Sequence, residues 1–499
     1  MLFDPKALHN KALYLDAILQ KPSLLESVIS RHIPKTYRYF QLSRVWEPGG
    51  GATLFRIESS NGPLLLKVKH QSVYVESRLE GEPTFLRKPS LQNECDFLRL
   101  LTNEEVARVF FFDEEECFQF LAMEWIESFH ATTQTMTAPQ LLEVWQRIVN
   151  IVKTLFDKGI VHTDIHEQNI CFRDNKPILI DFEEARFLRQ DVAFEDSLDV
   201  VGINKFGSVG EFPSMEGSID GLTCLRRLRN VFKSLIRKQL PGLIDQSNFD
   251  HSCPYNMDEF QEPDARIYQS LDFSGLRIEG QRPRRDLRQL LFGYLLCKSS
   301  REEGNISHVD LGSNLGMFCF QAAGYPFVDV SLGLEAFQKY TDIANIIAFL
   351  YDFSKTRFST FICGEGNIGD ELNGTNFVTM FSVYHHIARK DEFLKDLGKL
   401  GAKYVLAEFA TQDRYYPERG GLMHEIDYIQ KMTGYTKRHV LALSKDYHRP
   451  IILFSNRRLN FFDRMFIRIA NSKASSIGWG ILFLIKLVMS HGTRNLRYE

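Results

Sequence analysis

The chain has 499 residues, a formal net charge of −3 and eight cysteines. That length exceeds one ordinary hydrophobic core and points to two or three domains, while the near-balanced charge argues against a large nucleic-acid footprint. The cysteines are scattered without a C-x-x-C pair, which suits a reducing compartment and offers neither a disulfide framework nor a zinc site.

No apolar signal core stands at the amino terminus, only a helical-looking polar stretch over residues 1–38. Val45 to Ile57 then reads as strand, glycine turn, strand. Its Gly49, Gly50 and Gly51 would let backbone amides approach a phosphate closely, although three glycines equally make a plain hairpin turn. A third strand, Leu64 to Val68, places Lys67 to grip phosphate oxygens; Lys69 points the same way by alternation, so either lysine could serve. Gln92 to Leu101 has helical periodicity and offers Glu94 as an ion-pair partner for that lysine. Phe120 to Ile126, with Glu124 near its end, fits a strand running into a hinge where adenine would bond to backbone.

The densest chemistry lies at His162 to Asn169, followed by Ile178 to Phe182. Phosphoryl transfer needs an acidic side chain at the acceptor hydroxyl and ligands for magnesium on the ATP phosphates. Asp164, Asn169 and Asp181 stand at spacings that supply all three, with His166 beside the acceptor. A bland reading exists, since a His-Asp-His cluster can also be a metal site. Taken with the upstream segments, these motifs resemble the protein-kinase-like superfamily, in particular its small-molecule and lipopolysaccharide-kinase branches. The resemblance spans residues 39–261 and implies a bilobal α+β domain using ATP and Mg2+. Two departures shape the expected substrate. Glu183 follows Phe182 where protein kinases have glycine, and no Ala-Pro-Glu follows Asp181. A hydroxyl on a sugar or small molecule is therefore expected rather than a peptide.

A second chemistry begins at Asn305 to Phe318, which reads as buried strand, glycine turn and helix start. Asp310 ends the strand; Gly312 and Gly316 permit a tight turn against a nucleotide-like ligand, and Glu335, after a further strand, suits ribose hydroxyls. A dehydrogenase turn is the rival, but G-x-G-x-x-G is not satisfied. The pattern resembles motif I of class I S-adenosylmethionine-dependent methyltransferases, which implies a Rossmann-like α/β domain and that cofactor. Phe377 to Ile387 looks like its fourth strand and loop, with His385 and His386 as general-base candidates or simple loop histidines. Tyr404 to Phe409 and His448 to Phe454 resemble later strands. Tyr268 to Leu291, with Gly280 and Arg282, resembles the lead-in of some tRNA-uridine and glycan methyltransferases, which sets this domain at 262–458.

From residue 459 to 499 aromatic and aliphatic residues alternate with Arg464 and Arg468 before the run Ile477 to Met489. That run is interrupted by Lys486 and reads as an interfacial amphipathic segment rather than a span, or as helices docked on the preceding domain or a partner. The whole combination resembles, by module, the bifunctional kinase–methyltransferases that terminate O-antigen chains, with the domain order reversed and no sustained heptads. It implies phosphorylation and methylation of a lipid-linked polysaccharide at the cytoplasmic face of the inner membrane, with a membrane surface or a glycosyltransferase as neighbour. An RNA-directed methyltransferase with a kinase-like domain, and a methyltransferase on a scaffolding pseudokinase, are the alternatives.

Overall fold

The computed structural model describes residues 30–31, 40–46, 52–59, 62–70, 74–76, 84–86, 91–101, 106–115, 118–187, 219–244, 269–273, 276–280, 282, 286–364, 374–412, 416, 419–444, 448–472 and 476–482. The glycine turn at Gly49, Gly50 and Gly51, all but two residues of segment 1–38, and the tail beyond 482 lie outside them. The chain divides into two compact units, Met1–Leu235 and Ile236–Glu499.

Unit 1 begins with strands β1 (Phe40–Trp46), β2 (Ala52–Ser59) and β3 (Gly62–His70), then a small hairpin of β4 (Tyr74–Glu76) and β5 (Thr84–Leu86). Helix α1 (Leu91–Leu100), β6 (Val109–Glu115) and β7 (Phe118–Glu124) follow. Five of these strands form an antiparallel sheet in the order β1-β2-β3-β7-β6. Alternation along β3 buries Leu64, Leu66 and Val68 on one face and turns Lys67 and Lys69 to the other. The start of α1 is fixed by Gln119, whose side-chain oxygen accepts from Leu91 N at 2.8 Å.

The second lobe contains β8 (Glu127–Ser128), α2 (Phe129–Thr133), α3 (Ala138–Asp157), β9 (Ile160–Val161), β10 (Ile170–Arg173), β11 (Lys176–Leu179), β12 (Arg186–Phe187) and α4 (Ile219–Leu243). The division between units falls inside α4. Thr137 and Gln140 close a capping box that starts α3, and Leu141, Trp145, Ile148, Val152 and Leu155 recur at helical spacing as its buried face. Phe129 and Trp145 meet Phe232 of α4 at 5.5 and 5.8 Å. The β10–β11 hairpin turns on Asp174 and Asn175, both at positive φ (51° and 61°), the requirement of a two-residue primed turn.

Unit 2 comprises β13 (Leu271–Phe273), β14 (Leu276–Ile278), α5 (Leu287–Glu303), β15 (Ile306–Leu311), α6 (Met317–Ala323), β16 (Val328–Glu335), α7 (Gln338–Leu350) and β17 (Thr356–Thr360). It continues with β18 (Phe377–Phe381), α8 (Lys390–Lys399), β19 (Tyr404–Glu408), α9 (Leu422–Thr433), β20 (Lys437–Leu443), β21 (Pro450–Ser455) and α10 (Phe461–Asn471). Seven strands form one sheet in the order β17-β16-β15-β18-β19-β21-β20. The first five run parallel; β21 is antiparallel to β19, and β20 is antiparallel to β21 at the edge. Strands β18, β19 and β21 are buried throughout, which is why they read as unbroken apolar runs.

Strand order reverses between β15 and β18, so the carboxyl ends of β15, β16, β18 and β19 gather at one edge. Backbone there packs to its limit. A Cβ on Gly312 would meet Val383 at 2.7 Å, and one on Gly316 or Gly333 would meet the Phe358 ring at 2.3 and 2.4 Å.

Candidate active sites

In unit 1 the β10–β11 hairpin sets the spacing of the first site. Ile170 pairs with Leu179, and Ile180 N donates to Asn169 O at 3.0 Å, so Asn169 and Asp181 emerge side by side at its open end. Asp181 sits at φ 66° and Thr163 at φ 64°. Positive φ at a β-branched threonine is a strained backbone of the kind that clusters at functional sites.

The Lys67 ammonium donates to both Glu94 oxygens at 2.8 and 3.0 Å and to Asp181 Oδ1 at 2.9 Å. Glu94 also accepts from Asp181 N at 2.9 Å. Lys69, which shares that face of β3, pairs instead with Glu183. Burial opposes charge on Lys67, but Glu94, Asp181 and Glu183 outweigh it and hold the ammonium above the ordinary lysine range. Burial, with Asp181 nearby, pushes Glu94 up to about 7 against the pull of Lys67. Asp181 is held low: its burial is overcome by Lys67. Carboxylate oxygens of Glu94, Asp181 and Glu183 lie within 4.8 Å of one another. Oxygen atoms grouped this closely are the kind of ligand a divalent cation takes.

Asn93, one residue before Glu94, holds down the loop that follows Asp181. Its amide donates to the carbonyls of Phe182 (3.3 Å), Glu183 (2.8 Å) and Ala185 (3.1 Å). His162 is buried, lowered in pKa by that burial, and bonds Ile180 O at 2.8 Å with its ring edge-on to Phe182. It is a neutral structural post. Asn169 Nδ2 donates to Asp164 O (2.9 Å) and Asp164 Oδ2 (3.1 Å), which leaves its amide oxygen for a metal. His166 Nδ1 accepts from Gln168 N, and its Nε2 lies 3.4 Å from Asp164 Oδ2. The Asp164 side chain is 46 % exposed and open to an acceptor.

Glu124 closes β7 beside the β10–β11 hairpin. Its carboxylate takes Arg173 Nε at 3.1 Å and Arg108 N at 2.7 Å, and its amide donates to Arg108 O. The side chain thus ties the end of β7 to the β10–β11 hairpin.

In unit 2 the glycine turn after β15 gathers polar atoms without partners. Thr379 Oγ1 donates to Asp310 Oδ1 at 2.6 Å and is itself bonded by His308 Nε2 at 2.9 Å, while His308 Nδ1 meets Ser331 Oγ at 2.7 Å. Asp310 Oδ2, Ser313 Oγ and Asn314 Oδ1 are buried with no hydrogen-bond partner among the described residues. Such orphans are costly and mark a place where a ligand's polar atoms belong. Burial pushes Asp310 up to about 7. Glu335, at the end of β16, accepts from Asn314 N (2.7 Å) and Phe337 N (3.2 Å), and burial raises its pKa as well.

Beside that turn lies a cluster that local sequence pattern gives no sign of. Arg282 and Arg288, both buried, converge on buried Glu408 at 3.3 and 3.4 Å; Ser382 also bonds Glu408, and Arg449 reaches Ser382 Oγ at 3.0 Å. His385 and His386 sit in the turn after β18 with ring centroids 4.0 Å apart. Burial, with Arg449 close by, lowers both; His386 and Lys390 add to the effect on His385, which falls to about 2.

A family model described as the Phosphotransferase enzyme family matches residues 129–188, the segment holding Asp164, Asn169 and Asp181. A kinase-like phosphotransferase domain is thereby supported, with the ATP and Mg2+ that such enzymes use. No curated protein matches the chain. Among solved structures, the "Crystal Structure of EvdMO1" is similar at 11% identity and a TM-score of 0.29, over 40% of this chain and 46% of that one, a likeness too slight to carry an argument.

Proposed function

We propose that unit 1 phosphorylates a sugar hydroxyl of a bacterial surface glycan of the O-antigen type, and that unit 2 methylates the product. The observation that carries the first half is the assembled set of Lys67, Glu94, Asp181 and Asn169 beside an exposed Asp164. ATP supplies the phosphoryl group, and magnesium would neutralise its oxygens from Asn169 and Asp181. Lys67 adds positive charge on the same oxygens. Asp164 orients the acceptor hydroxyl and takes its proton as the new O–P bond forms and the bond from the γ-phosphorus to the bridging oxygen breaks, releasing ADP, with His166 alongside.

The second half rests on the sheet order, with its reversal at β15–β18, and on the orphaned acceptors around Asp310. Those features suit a class I fold binding S-adenosylmethionine, with Glu335 toward the ribose. S-adenosylmethionine, when bound, supplies a methyl group activated by its sulfonium. Histidines lowered as His385 is are weak bases. That favours an acceptor already anionic near neutral pH, such as a phosphate oxygen, over a hydroxyl that must first lose a proton.

Mass spectrometry of lipid-linked and synthetic glycans incubated with ATP, magnesium and S-adenosylmethionine tests both halves. Phosphate is expected first, with methyl added only where phosphate is present, and Asp164→Asn should cut phosphorylation by roughly a hundredfold or more. Methylation that persists without ATP would separate the two chemistries. No phosphate on any glycan would turn attention to RNA, where binding should weaken steeply with salt.

A further inference from the structure

Helix α10 is buried on one side and unusually apolar on the other. Its inner face is firmly registered. Phe466 stacks on Tyr294 of α5 at 3.9 Å and 9°, Tyr294 OH donates to Asp463 at 2.9 Å, and Lys298 lies 3.3 Å from the same carboxylate. Asn460 and Asp463 close a capping box at the helix start. A slipped or rolled helix would break all of these at once, so the outward face follows from the fold.

That outward face carries Phe461 (74 % exposed), Phe462 (66 %) and Met465 (44 %), with Arg464 and Arg468 exposed among them. On a helical wheel Arg464, Arg468, Phe461, Met465 and Phe462 succeed one another around the side opposite buried Asp463, Phe466 and Ala470. The helical turn over 476–482 packs Gly478 beside Leu290 and Leu482 beside Gly293 of α5, and leaves Ile477 57 % exposed. Two adjacent phenylalanines in water are costly, by about 25 cal/mol per Å² of apolar surface.

Charge decides what covers them. Arg458, Arg464 and Arg468 make no ion pair among the described residues, and the single acid of α10, Asp463, is buried facing inward. No helix of the described residues is long and apolar enough to cross a membrane. We infer that the outer face of α10, continued by Ile477, docks in the plane of an anionic lipid surface, with phenylalanines in the acyl boundary and arginines at the phosphates.

Flotation of the full chain with vesicles provides the test. Binding is expected to phosphatidylglycerol-containing vesicles and to be at least tenfold weaker to pure phosphatidylcholine. Phe461→Glu/Phe462→Glu should abolish it, and Arg464→Gln/Arg468→Gln should weaken it roughly tenfold or more on the anionic vesicles alone. All four side chains are exposed, and an unchanged circular-dichroism melt confirms that the variants fold. Equal binding to both lipids, or wild-type binding by the phenylalanine variant, overturns the inference. So does a concentration-dependent dimer, dissociated by that variant, in a protein that ignores vesicles, since the face would then cover a second copy.

Discussion

Asp310 ends β15 with one carboxylate oxygen satisfied by Thr379 and the other without a partner. Burial raises it from an ordinary 3.8 to about 7, with Glu335 adding to the shift and Thr379 and Arg288 opposing it. The linkage runs opposite to that of most aspartates. A neutral carboxyl favours the fold below about pH 4, and that stability is lost as pH rises through about 7. A cationic ligand would reverse the preference by favouring the carboxylate. Calorimetric affinity for S-adenosylmethionine is therefore expected to rise with pH, by up to about tenfold per unit, until about pH 7, and to level off above it. Asp310→Asn should flatten that slope and leave the unliganded protein at least as stable as the parent at pH 8.

At the scale of elements, the β10–β11 hairpin is the part on which the first site depends. Its two-residue turn needs positive φ at Asp174 and Asn175, which asparagine tolerates and a β-branched residue does not. Asn175→Val is expected to cost about 1–2 kcal/mol, seen in thermal unfolding, and to lower phosphorylation by loosening Asn169 against Asp181. Asn175→Gly should be nearly neutral. This hairpin shows why much of the site was legible in sequence: Asp164, Asn169 and Asp181 fall within one short run whose spacing a strand pair converts directly into proximity. Glu94 was legible too, as the acid on a helix after a lysine-bearing strand. Other groups were not. Lys69 and Glu183 meet across 114 positions, and Arg288 and Glu408 across 120, so no local pattern announces them. Asn93 carries no signal beyond standing next to Glu94. Strand β20 escaped because an edge strand alternates weakly; Lys437, Arg438 and His439 look like a loop until β21 pairs with them.

Across the whole molecule, the chain carries two compact units with two separate constellations of buried charge. Ligands that bind only the folded state of one unit stabilise that unit by mass action. Calorimetric scanning is expected to show one transition shifted upward by a non-hydrolysable ATP analogue with magnesium, and the other by S-adenosylmethionine. A thousandfold excess over the dissociation constant corresponds to about 4 kcal/mol. A single transition moved equally by both ligands would mean that the units unfold together.

The packing of Phe358 against Gly316 and Gly333 has a consequence for how unit 2 can diverge. Gly333 adopts a backbone open to any residue, yet even an alanine there would drive its Cβ into the ring at 2.4 Å. The order of substitution is therefore fixed. A lineage must first trade Phe358 for something smaller and live with the cavity, and Ser313, whose Oγ would lie 2.7 Å from that Cβ, must also give way before Gly333 can accept a side chain. Related sequences should show the two positions changing as a pair, with small residues at 358 wherever 333 is no longer glycine.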